Sequence, residues 1–328
     1  MPAGFVRAGP EVPSGKYRSM LAGVYAILAT PFADDGSVDF AGIDRLVDFE
    51  LGAGVHGLTI LGIMGEAHKV TEDERRRIVE AIVRRVNGRI PVIVGTSAPA
   101  TDLAIRYSRQ AQDLGATGLM VAPPTNLRNL DAVREYYRRV HDATTLPVIV
   151  QDEPVFSGVV MPAAFLASIS DALPRARAIK LEEIPSALKV AQVLAAAKQP
   201  VGVFGGMGGV YFYEELLRGA VGTMTGFAFP EVLVAIYDAF TAGTRTRARD
   251  LFYRHLPLIR YEGQPVIGLA IRKEILRRRG VIASAAVRHP GPVLDSGSRS
   301  ELDEILSTLG LDQAGTAPVA LGTASVQS

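Results

Sequence analysis

Eight short runs rich in β-branched residues punctuate the chain: Val24–Thr30, Gly57–Leu61, Pro91–Thr96, Gly118–Ala122, Pro147–Gln151, Ala176–Leu181, Val201–Phe204 and Gly222–Thr225. Apolar residues follow one another in these runs instead of alternating with polar ones, the pattern of parallel strands covered on both faces. The stretches between them carry helix signals. Thr71-Glu72-Asp73-Glu74 reads as a cap and an acidic first turn, and its helix ends at Arg84-Arg85-Val86 before Asn87-Gly88. Thr101–Leu114 stops at Gly115, while Pro162–Leu173 and Pro185–Ala197 each open on proline. Strand starts recur roughly every twenty to thirty-five residues, the length of one βα unit. Eight such units in series predict a closed (β/α)8 TIM barrel, an α/β fold. A doubly wound open sheet is the rival, but no G-x-G-x-x-G follows the first strand and no acidic residue is placed for a ribose.

The pattern changes after the eighth strand. Glu231–Gly243, Arg245–Arg260 and Gln264–Gly280 read as helices, which puts about two beyond the barrel's own. The expected organisation is an N-terminal arm over 1–20, the barrel over 21–243, a C-terminal helical extension over 244–312 and a disordered tail over 313–328. A length of 328 residues suits one such barrel, and 48% hydrophobic against 21% charged residues excludes a disordered or collagen-like chain. The formal charge of +1 provides no global field for nucleic acid or an anionic membrane, leaving small neutral or anionic ligands. The lack of cysteine removes thiolate nucleophiles, disulfides and cysteine-ligated metal centres. The first twenty residues lack the apolar core of a secretory signal, and no apolar run is long enough to span a bilayer. A soluble, cytoplasmic protein is expected.

Chemistry in such a barrel belongs at the C-terminal ends of the strands. Lys180 interrupts the apolar run Ala178-Ile179-Lys180-Leu181, and Glu182, two residues on, shares its face. That face is expected to be the barrel interior, where desolvation lowers a lysine pKa and equips the amine to attack a carbonyl and form a Schiff base. The competing reading is a structural Lys180–Glu182 ion pair at the rim. Only six lysines stand beside twenty-nine arginines, and arginine forms no imine, so a lysine here favours chemistry. Gly62-Ile63-Met64-Gly65-Glu66 follows the second strand, and its glycines can expose backbone N–H groups to a carboxylate or simply make a turn. Glu66 reads as a buried or capping carboxylate, and with His68 it lacks a third ligand, so no metal is expected. Gly205-Gly206-Met207-Gly208-Gly209 follows the seventh strand, where barrels often bind phosphate. A phospho-sugar or pyridoxal phosphate site is therefore a rival, weakened because the loop has no Lys, Arg, Ser or Thr. His56 and His141 precede strands, on the face that serves stability.

Taken together, these segments resemble the dihydrodipicolinate synthase and N-acetylneuraminate lyase superfamily from about Gly23 to about Leu309. The resemblance rests on Ala29-Thr30-Pro31-Phe32, Gly62 to Glu66, Ile179-Lys180, Gly205-Gly206 and Gly219 to Gly226. It implies a (β/α)8 barrel, commonly tetrameric, in which Lys180 forms an imine with a 2-keto acid. It also implies that Ile63, Met64 and Gly65 receive the substrate carboxylate, with Gly205, Gly206 and Thr225 lining the site. Two departures stand out. The Tyr-Asn-x-Pro of the family's fifth strand is Gln151-Asp152-Glu153-Pro154 here, and Ile63-Met64 replaces a threonine pair. The arginine expected shortly after the proline is also missing, with Phe156 near its place. The Gln-Asp-x-Pro variant, Met224-Thr225-Gly226 with Phe229-Pro230, and Gly280 to Ser284 with Arg288-His289-Pro290 resemble the L-2-keto-3-deoxyarabonate dehydratase branch.

The resulting expectation is a hydro-lyase that dehydrates a 2-keto-3-deoxy sugar acid through an imine on Lys180, without metal or diffusible cofactor. Glu182 moves the proton and Gln151 orients a water or hydroxyl. A retro-aldol lyase that releases pyruvate is the alternative enzyme. A lapsed barrel that only binds a keto acid is the alternative of another class.

Overall fold

The computed structural model describes residues 21–125, 127–319 and 321. Eight parallel strands close into a barrel in chain order: β1 (Gly23–Ile27), β2 (Gly57–Ile60), β3 (Val92–Gly95), β4 (Gly118–Val121), β5 (Val148–Asp152), β6 (Ala178–Leu181), β7 (Gly202–Gly205) and β8 (Gly222–Thr225). β1 completes the ring by pairing with β8 from Gly23↔Gly222 to Ala26↔Thr225. Seven strands are buried along their whole length, and in β7 only Gly202 is partly exposed, as the non-alternating apolar runs predict. The TIM barrel expected from the sequence is therefore the fold observed.

The helices around it are α1 (Phe40–Gly52), α2 (Glu72–Val86), α3 (Thr101–Asp113), α4 (Leu130–Asp142), α5 (Pro154–Ser157), α6 (Ala163–Ala172), α7 (Ser186–Ala196), α8 (Phe212–Leu217) and α9 (Pro230–Thr241). Local chemistry sets their ends. At α2, Thr71 accepts from the Glu74 backbone while the Glu74 carboxylate accepts from Thr71, a reciprocal cap, and Asn87 turns left-handed at φ 48° to stop the helix.

Inside the ring, Tyr25, Ile93, Met120, Ile149, Ala178, Phe204 and Met224 form an apolar plug. Gly57 makes room for it, since a β-carbon there would lie 2.3 Å from the Tyr25 ring. Tyr25 meets Phe204 edge-on at 5.4 Å. Strand register sets Gln151 level with Lys180 and Lys180 level with Phe204. Polar side chains thus begin where the plug ends.

Beyond the barrel lie α10 (Arg245–Glu262), α11 (Gly268–Arg278) and α12 (Ser296–Leu309). The sequence signals mark only two helices there. The third, α12, starts on a Ser-Gly-Ser turn capped by Asp295 and buries Leu302, Leu306 and Leu309, too sparse a stripe to stand out before its partners are known. The tail expected to be disordered also differs in part. Arg279 donates to the carbonyls of Gly315 and Ala317, and Val319 N donates to Glu231, so the backbone of this segment finds fixed partners instead of water. The arm over 1–20 and the last residues of the tail lie outside the described residues. No described helix is long and apolar enough to cross a membrane.

Candidate active site

Lys180 projects into the barrel from β6 and is only 3% exposed. Its Nζ lies 2.8 Å from Glu182 Oε2, and Gln151 Nε2 on β5 donates to the same oxygen at 3.0 Å. The other carboxylate oxygen, Oε1, accepts from Met207 N at 3.3 Å, in the turn after β7. The three side chains named from the sequence therefore form one connected group. Period-2 alternation puts Lys180 and Glu182 on one face, and barrel closure brings Gln151 beside them. Gly206 completes the seat, because a β-carbon there would lie 2.5 Å from Glu182 Cγ. Only glycine leaves that space to the carboxylate.

The turn after β2 lies at the same end of the barrel. Thr30 Oγ1 donates to the Gly65 carbonyl at 2.6 Å, and a β-carbon on Gly65 would crowd Leu61 N at 3.0 Å. The turn closes through bonds from Gly65 N to Gly62 O and from Glu66 N to Ile63 O. Among the described residues, the backbone N–H groups of Ile63 and Met64 donate to nothing, which leaves them for an anion. Glu66, at φ 55°, is a structural residue. Its carboxylate accepts from Lys273 Nζ at 2.6 Å, Lys69 Nζ at 3.0 Å and Arg288 N at 3.0 Å, tying the turn to the C-terminal extension. Burial lowers the Lys273 pKa despite that partner.

Thr225 is placed differently from the expectation. Its neighbour Met224 lies in the interior plug, so alternation along β8 turns Thr225 outward toward Gly209, away from Lys180. Gly205 faces outward too. Its β-carbon position is taken by Glu215 of α8, and Gly206 alone of the pair meets Glu182 on the face that carries Lys180. His68 stands 6.3 Å from the Phe156 ring, and its pKa is lowered by burial. Among the described residues, no three His, Asp or Glu side chains group as metal ligands. His56 accepts from Val24 N and packs on Tyr237, as a residue of the stability face does.

Sequence reasoning missed the support behind the site. Asp152 is fully buried; Lys189 Nζ of α7 donates to its Oδ2 at 2.6 Å and also reaches Glu183. Burial pushes the Asp152 carboxyl up to about 6, with Lys189 pulling it down. Asp152 O also accepts from Glu182 N at 2.8 Å, which extends strand pairing to the site itself. A lysine at the right helical spacing was the only available signal, and it names no partner 37 residues away.

A model of the dihydrodipicolinate synthetase family matches residues 20–309. The chain belongs to that family. By that membership it is a lyase. An L-2-keto-3-deoxyarabonate dehydratase from Azospirillum brasilense is 36% identical over 285 residues, 85% of this chain and 92% of the relative. The crystal structure of a dihydrodipicolinate synthase from Rhodopseudomonas palustris superposes with a TM-score of 0.84 at 38% identity, covering 89% of this chain and 98% of that one. A prophage protein of the family from E. coli K12, solved in complex with pyruvate, superposes at 0.83 with 26% identity, covering 88% and 99%.

Proposed function

We propose that the protein dehydrates a 2-keto-3-deoxy sugar acid, such as L-2-keto-3-deoxyarabonate, through an imine on Lys180. The observation that carries this reading is the carboxylate of Glu182 at 2.8 Å from Lys180 Nζ, with Gln151 where the resemblance would put a tyrosine. The dehydratase at 36% identity supports the choice of substrate class. Lys180 Nζ adds to the C2 carbonyl, and loss of water leaves a protonated imine. Glu182 takes the C3 proton, whose bonding pair becomes C2=C3 while the C2=N pair moves onto the nitrogen, giving an enamine. The nitrogen pair then re-forms C2=N, the C2=C3 pair becomes C3=C4, and the C4 hydroxyl leaves as water with the proton Glu182 had taken. Hydrolysis frees the lysine, and in a pentonate the unsaturated acid tautomerises to a semialdehyde. The Ile63 and Met64 N–H groups hold the substrate carboxylate, and Gln151 orients a hydroxyl or water.

The protonated imine is itself the electron sink, so the reading includes no metal and no diffusible cofactor. Turnover is expected to survive exhaustive chelation; strict dependence on added zinc or magnesium would overturn that part. A retro-aldol lyase is the second reading, supported by the pyruvate-bound relative, and differs in that Glu182 takes the C4 hydroxyl proton and C3–C4 breaks. Product analysis with 2-keto-3-deoxypentonates separates them: semialdehyde supports dehydration, pyruvate plus aldehyde the alternative. A protein that only binds keto acids need not form an adduct that borohydride traps. The proposal also takes the protein as a cytoplasmic homotetramer, and light scattering in solution tests the assembly.

A further inference from the structure

The end of β7 is held between two carboxyl groups. Gly205 and Gly206 are consecutive, so their missing side chains face opposite ways. On the barrel side Glu182 fills the space of the Gly206 β-carbon. On the helix side Glu215 Oε2 fills that of Gly205, 1.6 Å from where the carbon would sit. Any side chain at either position would displace one of the two carboxyls.

Glu215 is fully buried. Its Oε1 accepts from Ser186 Oγ of α7 at 2.6 Å, and its Oε2 has no hydrogen-bond partner among the described residues. An ionised carboxylate so placed would bear the full cost of desolvation with one donor to offset it. The charged groups that act on it are Glu182, just past β6, and Glu214 from its own helix, both acidic, and Glu214 is itself bonded by Tyr253 of α10. Burial, with those two carboxylates, pushes the Glu215 carboxyl up to about 8, against the Ser186 hydrogen bond. At neutral pH the group is a carboxylic acid.

We propose that Glu215 is a positioning residue: as a neutral acid bonded to Ser186 it backs the Gly205–Gly206–Met207 turn that seats Glu182, and its loss of a proton dislodges that seat. An anion at Glu215 has only glycine backbone between it and Glu182. Repulsion and the demand for water then act on the turn whose Met207 N–H holds Glu182 Oε1. Proton transfer fails while Lys180 keeps its amine and its imine chemistry. This inference rests on the role given to Glu182 above.

The test is the pH profile of kcat for Glu215→Gln, which keeps the shape and the acceptor for Ser186 but has no proton to lose. The alkaline limb, expected near pH 8 in the parent, should move up by one unit or more, while borohydride trapping on Lys180 keeps its own pH dependence. Ser186→Ala removes a bond that favours the anion, so it should move the same limb upward by a smaller step, and it serves if Glu215→Gln does not fold. Infrared difference spectra across pH 8 should show a protonated-carboxyl band in the parent that remains after subtraction of the Glu215→Gln spectrum, which still carries the loss from the buried Glu50. An alkaline limb that stays put in both variants, or no such band, overturns the proposal. Because the band does not depend on turnover, its presence together with full activity of Glu182→Gln would locate the fault in the role of Glu182, not in the protonation of Glu215.

Discussion

At the scale of single residues, the proposed mechanism separates covalent chemistry on Lys180 from proton transfer by Glu182. Among the described residues, Lys180 is the only lysine whose nitrogen pairs with Glu182; Lys189 is bound to Asp152 and Glu183, and Lys273 and Lys69 to Glu66. Lys180→Ala should therefore abolish borohydride-trapped adduct and cut turnover by more than about a thousandfold. Mass spectrometry of the trapped peptide checks it, and adduct on another lysine would refute the assignment. Glu182→Gln should retain trapping but lower kcat by about a hundredfold or more, the usual worth of a positioned acid–base group. Turnover within a few-fold of the parent would move the proton transfer elsewhere.

Between elements, buried charges join the barrel to its C-terminal extension. Arg279, just past α11, pairs with Glu231 of α9 at 2.8 Å, donates to the Ala228 carbonyl at 2.7 Å and stacks over Phe49 and Phe229. Arg272 pairs with Glu262, whose other oxygen accepts from Ala228 N. Glu231, Ala228 and Phe229 belong to α9 or to the turn that leads into it from β8, while Phe49 lies on α1 and the Arg272–Glu262 pair joins α11 to α10, so the extension braces the return of the chain from the last strand. Removing one partner leaves a buried carboxylate uncompensated. Arg279→Met should cost about 3–5 kcal/mol of stability, read from urea unfolding, with the unfolding slope unchanged. A loss below about 1 kcal/mol would mean the pair is solvated in solution. Glu74 shows the same linkage at the surface: it caps α2 and also receives Arg288 from the segment after α11.

For the whole molecule, burial of acids governs the dependence of stability on pH. Desolvation, added to by Glu231, pushes the fully buried Glu50 up to about 8, and Glu215 stands at the same value. A carboxyl whose pKa is higher folded than unfolded binds its proton more tightly in the native state. Its stabilising effect is complete below the unfolded value near 4.5 and is lost as pH rises toward 8. Glu74, held at about 2 by its bond from Arg288, acts in the opposite window: its contribution is present above 4.5 and lost as pH falls. The melting temperature should thus peak near pH 5 and decline toward pH 8.5, with a shallower decline in Glu50→Gln. A melting temperature that climbs steadily across that range would contradict the buried protons.

The local sequence determined what depends on short periods. Apolar runs without alternation defined eight strands, capping residues at Thr71 and Asn87 defined α2, and a two-residue spacing put Lys180 and Glu182 on one face. Closure of the barrel decided what depends on distance. It set Gln151 beside Glu182 and gave Glu66 partners 207 and 222 residues along the chain. It also placed Glu215 against the far side of Gly205 and Lys189 against Asp152. Side-chain alternation is fixed by the bonds of a single strand, so it can be read from neighbouring residues. Which buried carboxyl meets which donor is fixed by how helices and strands pack, and a linear spacing carries no record of that contact.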